Sequence, residues 1–360
     1  MLDLNSLLPK YHQLKEHLRK QIRSGEISPG ERLPSETELV REFRLSRDTV
    51  RKAFGELEHE GWVFRQQGRG TFCSFREKGN GRTIAVLTTY ISNYIFPAII
   101  SGIERVLSSA GYILILANTW NDSQKEAQRL ENLLNHDISG LIIEPTKSAQ
   151  NNPNRDCFAE LHQRKIPFLF LHANYPQMDS AYLIMDDEAG GFQATQHALQ
   201  MGHRRVAGVF KADDLQGVRR QEGFLRAMKE FGCRVPDDFI GNYDTEQLFS
   251  FPYQYTRYLL QKHEPPTAIV CYNDEIALKS IEAIRDSGRK VPEDISIIGY
   301  DNSHLAEASH PKLTSINHPK EEMGRRAAEM ILDMILGKVD KPRFTYPPEL
   351  VVRSSCQRLS

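Results

Sequence analysis

The sequence predicts an α/β protein in two parts: a small head of helices closed by a β-hairpin, then a two-lobed body built on parallel sheets. Three observations carry that expectation. Leu33–Arg51 has the pattern of two short helices joined by a tight turn. Ser74–Arg82 (SFREKGNGR) is polar and Gly-rich, as linkers are. From Thr83 onward, short apolar runs alternate with amphipathic segments, as in a parallel sheet covered on both faces. The expected parts are a head over 1–73, a linker over 74–82 and a body over 83–360.

A chain of 360 residues has room for two or three domains. No apolar run is long enough to span a bilayer, and the start, MLDLNSLLPKYHQL, lacks the charge and apolar core of a signal peptide. A cytoplasmic protein without a membrane partner is therefore expected. Cys73, Cys157, Cys233, Cys271 and Cys356 are scattered, and their odd number argues against a disulfide framework or a zinc site. No metal or cofactor is expected. Residues 1–76 hold 14 Lys+Arg against 11 Asp+Glu, while the rest holds 32 against 36. A basic head on an acidic body fits a polyanionic partner for the head.

In the head, residues 10–24 read as a helix with Tyr11, Leu14, Leu18 and Ile22 on its core side, ended by Gly25. Pro29-Gly30 turn the chain. Ser35 caps the next helix, and Glu38 sits where it completes a capping box. Leu39, Val40 and Phe43 form that helix's apolar face. Ser46 caps a second helix, with Val50, Ala53, Phe54 and Leu57 inward and Arg47, Asp48, Arg51 and Lys52 outward. Gly61 ends it. Val63-Phe64 and Thr71-Phe72 then read as strands around the tip Gln67-Gly68-Arg69-Gly70. The two helices alone fit a solvated helical hairpin equally well. The added hairpin makes them a winged helix-turn-helix, whose second helix enters the major groove by its N-terminal end. Arg47 and Arg51 lie one turn apart and suit guanine edges, and Glu36 suits a cytosine amine. Lys10, Gly68 and Arg69 suit phosphate.

The head resembles the GntR-type winged-helix domain over residues 8–74. The matching pieces are Pro9-Lys10-Tyr11, Gly25-Glu26-Ile27-Ser28-Pro29-Gly30, Leu33-Pro34-Ser35-Glu36, Ser46-Arg47-Asp48-Thr49-Val50-Arg51 and Gly68-Arg69-Gly70-Thr71-Phe72. The resemblance implies double-stranded operator DNA as partner, with contacts at Lys10, Glu36, Arg47, Arg51, Gln67 and Gly68.

In the body, apolar strands are expected at Ile84–Leu87, Tyr112–Ala117, Gly140–Ile143, Pro167–Leu171, Val206–Phe210, Ala268–Cys271 and Ile295–Gly299. Helices are expected at Pro97–Ser109, Ser123–Leu134, Phe158–Arg164, Glu188–Gln200, Val218–Phe231, Ser250–Gln261, Asp274–Asp286 and Glu321–Leu336. Tyr346–Arg353 is expected to return a strand to a sheet. Two successive units of similar size imply two lobes. In open parallel sheets, ligands sit beyond the carboxyl ends of the strands. Those ends carry Glu144, His172, Tyr272-Asn273-Asp274 and Tyr300-Asp301, groups suited to a polyhydroxyl ligand whose hydroxyls must stay paired on burial. Asn273 and Asp301 serve equally as caps for the helices that follow.

This half resembles the lactose/galactose repressor family, whose effector domain is similar to the two-lobed sugar-binding proteins of the periplasm (type I). Met201-Gly202-His203-Arg204-Arg205, Arg220-Gln221-Glu222-Gly223-Phe224, Cys271–Ala277, Val291–Asp301 and Leu313-Thr314-Ser315-Ile316 carry the resemblance. It implies a sugar effector held by Phe96, Glu144, His172, Arg220, Tyr243, Asn273, Asp301 and His318, with Arg220 bidentate and Tyr243 or Phe96 stacking on the sugar. Joined to a GntR-type head, and with Tyr94-Ile95-Phe96-Pro97 and Glu144-Pro145-Thr146-Lys147-Ser148, the body is similar to bacterial repressors that respond to L-arabinose. That likeness implies a homodimer on a palindromic operator, released by the sugar. The linker, with Gly79 and Gly81, lacks the minor-groove helix of lactose-type repressors.

The alternatives are the same architecture responding to a different sugar or acting as an activator, and an enzyme fused to a DNA-binding head. No Gly-rich phosphate loop follows a strand, and Gly190-Gly191 lacks the spacing. Asp186-Asp187-Glu188 fits a helix start better than a metal site. No nucleophile, base and orienter stand out.

Overall fold

The computed structural model describes residues 9–28, 30–66, 68–74, 82–92 and 94–359. Its contacts form two compact units, Met1–Asn80 and Gly81–Ser360. Gln67 and residues 75–81, most of the expected linker, lie outside the described residues.

The first unit packs α1 (Lys10–Ser24), α2 (Glu36–Phe43) and α3 (Arg47–His59) beside an antiparallel hairpin of β1 (Val63–Gln66) and β2 (Gly70–Cys73). Leu14, Leu18, Leu39, Val50, Phe54, Leu57 and Trp62 fill its core. Both α2 and α3 start where side chains cap them. The Ser35 hydroxyl accepts from the Glu38 amide while Glu38 accepts from the Ser35 amide, and the Ser46 hydroxyl accepts from the Thr49 amide. Lys15 Nζ ties α1 to α3 through Glu56 at 2.8 Å and Glu60 at 3.0 Å. Residues 31–33 line the free edge of β2. The Cys73 amide donates to the Glu31 carbonyl and the Leu33 amide to the Thr71 carbonyl. The hairpin is thus braced as a three-ply wing, which the sequence does not announce.

The second unit follows the order β3 (Thr83–Thr88), α4 (Phe96–Ser109), β4 (Ile113–Asn118), α5 (Ser123–Asn135), β5 (Gly140–Ile143), α6 (Arg155–Gln163), β6 (Phe168–His172) and β7 (Ala181–Met185). It continues with α7 (Asp187–Gln200), β8 (Val206–Lys211), α8 (Leu215–Glu230), β9 (Ile240–Tyr243), α9 (Phe251–Leu260), β10 (Ala268–Cys271) and α10 (Asp274–Asp286). β11 (Ser296–Asp301), α11 (His304–Ala308), β12 (Thr314–Asn317), α12 (Lys320–Ile335), β13 (Arg343–Tyr346) and β14 (Leu350–Val351) complete it. Two six-stranded sheets result, ordered β4-β3-β5-β6-β7-β13 and β9-β8-β10-β11-β12-β14. All neighbours are parallel except β12 and β14. The inner strands are buried along their whole length, as a sheet covered on both faces requires.

The lobes are not successive halves of the chain, as expected from the sequence. The chain passes between the sheets three times: from β7 to α7, from β12 to α12, and from β13 to β14. α7 packs on α8 of the second lobe, and α12 returns to pack on α4 of the first. The pattern of apolar runs records that strands and helices alternate, but not which sheet each strand joins. Of the expected terminal strand Tyr346–Arg353, only Leu350–Val351 form a strand of their own (β14, in the second sheet), while Tyr346 ends β13 of the first.

Candidate nucleic-acid interface and effector cleft

In the head, α3 buries Val50, Ala53, Phe54 and Leu57 and leaves Arg47, Asp48, Arg51 and Lys52 exposed at its N-terminal end. Glu36, the first residue of α2, reaches Arg51, with its Oε2 3.0 Å from Arg51 Nε. Carboxylate and guanidinium therefore stand side by side on the outer surface, an acceptor and a donor fork for base edges. Lys52 Nζ lies 3.8 Å over the ring of Tyr11. Lys10 is exposed at the start of α1. At the wing tip Gly68 has φ 76° and Gly70 φ 118°, conformations that glycine adopts freely. A Cβ on Gly70 would meet Arg32 Nε at 2.8 Å. Arg69 is exposed at the tip.

In the body, a cleft opens where the carboxyl ends of both sheets face each other. From the first lobe it is lined by Thr89, Tyr90, Tyr94, Phe96 and Glu144, and from the second by Lys211, Asp214, Arg220, Tyr272, Asn273 and Asp301. Glu144 Oε2 accepts from the Thr89 amide at 2.8 Å and the Thr89 hydroxyl at 2.5 Å, and Oε1 lies 2.9 Å from His172 Nδ1. Burial opposes charge on Glu144, but His172 and the Thr89 donors outweigh it and hold the carboxyl below its ordinary range. Arg220 is buried. Its Nε donates to Asp187 at 2.8 Å and its Nη1 to the Tyr272 carbonyl at 2.7 Å, while Nη2 stands 3.7 Å from Asp301. The guanidinium lies 3.5 Å over the Tyr300 ring. Burial likewise opposes the charge on Lys211, but Asp214 and Asp213 hold the amine above its ordinary range.

Direct bonds join the lobes at the cleft. The Tyr94 hydroxyl donates to the Tyr300 carbonyl at 3.1 Å and accepts from the Asp274 amide at 3.2 Å. Asn121 Nδ2 donates to Asp214 at 3.1 Å and Thr245 at 2.6 Å, and Lys147 pairs with Glu246 at 2.7 Å. Of the residues with positive φ other than glycine, Tyr94 and Asp301 line this cleft, and Asn121 and Lys147 make the bonds between its lobes. Such strain persists where the surrounding structure fixes the backbone, typically at binding sites.

Residues 10–73 match the family model described as bacterial regulatory proteins of the gntR family, and residues 195–356 match the periplasmic binding protein-like domain. The arabinose metabolism transcriptional repressor of Geobacillus stearothermophilus is 48% identical over 359 residues, covering 98% of this chain and 99% of that protein. The protein of the same name from Halalkalibacterium halodurans is 42% identical, covering 96% of each. The chain belongs to the family of arabinose metabolism transcriptional repressors. A LacI-family regulator from Enterococcus faecium, solved with bound ribose, superposes with a TM-score of 0.66 at 31% identity, covering 77% of this chain and 100% of that one. The chain is thus a DNA-binding, sugar-responsive transcriptional repressor, and its relatives are regulators rather than enzymes.

Within that frame, the structure gathers Phe96, Glu144, Arg220, Asn273 and Asp301 at one cleft. His172 stands behind Glu144, and its ring is 5.1 Å from that of His318. Both histidines are buried, and His172 Nε2 and both ring nitrogens of His318 have no hydrogen-bond partner among the described residues. Burial first, then neighbouring positive groups, push the His318 ring well below its ordinary range. Tyr243 is 1% exposed, with its ring stacked on Phe251 and edge-to-face with Tyr272, and its hydroxyl is buried without a hydrogen-bond partner among the described residues. Asn273 does cap α10, accepting from the Ile276 amide, and also lines the cleft. Its two readings hold together. Sequence reasoning missed Tyr90, Tyr94, Lys211, Asp214 and Gln216. Lys211 and Asp214 were visible as charges beyond the apolar run Val206–Phe210, the signal used for the other strands.

Proposed function

We propose that this repressor grips its operator as a homodimer through Lys10, Glu36, Arg47, Arg51, Gln67, Gly68 and Arg69, and lets go when L-arabinose fills the cleft. The observation that carries this reading is the ring of paired, buried charges around a cleft between two lobes. Glu144, Lys211, Arg220 and Asp301 are held in place by protein partners, so a ligand meets oriented groups rather than mobile ones. Sugar hydroxyls match that set, and the names of the relatives single out arabinose. Bonds between the lobes form beside the cleft, so a ligand that touches both lobes favours the closed arrangement by its extra contacts there.

The homodimer rests on one further feature. β4 is an edge strand with Ile113 68% exposed and Leu114 and Leu116 half-buried, beside Ile100 and Val106 on α4. An apolar edge left open invites pairing. Ile99 and Ile103 of the same helix are core residues. We take the protein to act in the cytoplasm, with no membrane partner; no described helix is long and apolar enough to cross a membrane. A mobility-shift assay with the operator tests the reading. L-arabinose at millimolar concentration should release the DNA, and D-ribose, D-xylose and D-galactose should not. Release by one of the others instead would reassign the sugar and leave the class intact.

A further inference from the structure

Phe249 is 82% exposed and also lines the cleft. Scattered exposed apolar side chains are ordinary. Phe249 differs because the chain on both sides of it is anchored. On one side, the turn Thr245–Gln247 is held by Asp213, which accepts from the Thr245 amide and hydroxyl at 3.0 and 2.7 Å. The same turn is reached across the cleft by Asn121 and Lys147 of the first lobe. On the other side, α9 starts at Phe251, whose ring stacks on Tyr243 and, at 5.2 Å, on Tyr255. A fixed backbone therefore presents a phenyl ring to water at the mouth of a binding cleft.

The first lobe brings its own rings to the same cavity. Tyr90 packs edge-on to Phe96 at 5.9 Å and to Trp120 at 5.8 Å. The polar groups Glu144, Lys211, Arg220 and Asp301 share the lining. A ring sugar has matching chemistry, with hydroxyls around its edge and an apolar C–H face that favours an aromatic surface. Tyr243, from which stacking was expected, is 1% exposed with its ring stacked on Phe251, whereas the Phe249 ring is open to a ligand.

We propose that Phe249 is the stacking residue of the cleft and that it closes over the C–H face of a sugar in its ring form, opposite Tyr90 and Phe96. This rests on the sugar-effector reading above. A bound sugar then takes the Phe249 ring out of water, so part of the affinity is hydrophobic and comes from the second lobe.

The test is calorimetric titration of the full chain with L-arabinose, D-ribose, D-xylose and D-galactose. For the sugar that binds, Phe249→Ala should raise Kd about tenfold, the scale of burying one aromatic ring. Phe249→Trp and Phe249→Tyr should stay within about threefold of the wild type, and Phe249→Leu should fall between, because it restores apolar area but no flat face. An unchanged thermal midpoint for Phe249→Ala shows that the fold is intact. In a Trp120→Phe background, the indole of Phe249→Trp should shift its emission to the blue as sugar is added. Binding by Phe249→Ala as tight as wild type would overturn the stacking role alone, as would equal binding by the Leu and Trp variants or an indole that ignores a bound sugar. A wild-type chain that takes none of the four sugars overturns the sugar reading, and the stacking role with it.

Discussion

Arg51 and Glu36 show how single side chains divide the work of the head. Their ion pair fixes the direction in which each faces outward. Arg51→Ala should weaken operator binding by about 1–3 kcal/mol and weaken binding to unrelated DNA far less, because a base-reading fork carries sequence information. Lys10→Ala should weaken both alike and reduce the slope of log K against log salt by about one, as the loss of a phosphate contact does. Titrations at several salt concentrations separate the two. In the body, Asp274 is wholly buried and accepts from the Ser303 amide at 2.7 Å, the Ser303 hydroxyl at 2.8 Å and the Ser315 hydroxyl at 2.7 Å. Burial and then repulsion from Asp301 outweigh these donors and raise its carboxyl to about 7. The folded chain thus binds this proton more tightly than the unfolded one. The stability contributed is present at low pH and is lost as pH rises from the ordinary aspartate range through about 7. Asp274→Asn keeps an acceptor for Ser303. Its thermal stability relative to wild type should therefore climb between pH 5 and 8, by at most about 3 kcal/mol. A flat difference would show that Asp274 ionises normally. At this scale Glu144, Arg220, Asn273 and Asp301 were legible as polar groups ending apolar runs or matching a family motif. The burial of Tyr243 was not legible, because the local string Gly241-Asn242-Tyr243 does not show that Phe251, from the next helix, stacks on the ring.

Helix pairs are the elements that shape both lobes. In the first lobe a Cβ on Gly324 of α12 would stand 2.0 Å from the Ile99 carbonyl oxygen, and one on Gly102 of α4 would stand 2.2 Å from that of Glu321. In the second, Gly223 of α8 and Gly191 of α7 meet the Glu188 and Arg220 carbonyls in the same way, at 1.9 and 2.1 Å. Each pair crosses backbone to backbone, with a glycine on either side of the contact. Gly324→Ala and Gly223→Ala should each force the helices apart and cost about 1–3 kcal/mol or more, read as a lower unfolding midpoint. Gly288→Ala is the contrast: its site is open, and only its φ of 74° opposes a side chain. Most helices and the apolar strands could be read from periodicity. β7, β9, β12 and all of β13 but Tyr346 were not. β7 follows β6 with no helix between, against the expected alternation. β9 is a short edge strand with glycine and asparagine in it. β12 buries Thr314 and Ser315, whose hydroxyls bond to the Arg353 amide and to Asp274 instead of presenting apolar surface.

For the molecule as a whole, the open edge at β4 sets the expected assembly. Ile113→Lys should turn a dimer into a monomer in sedimentation and reduce affinity for a palindromic operator, because two heads no longer bind as one. A variant that stays dimeric would place the contact elsewhere. The two-part organisation and the two lobes were legible in the sequence; the passage of the chain between the lobes was not, since it depends on pairings far apart in sequence. That passage bears on synthesis. The ribosome makes β3, β5 and β6 early, yet the helix that covers α4, and the strand β13 that pairs with β7, emerge only after Asn317. The half of the body translated first must wait for nearly the last residues before it is finished. A stop codon just after β12 would therefore cripple the lobe nearest the start of the message.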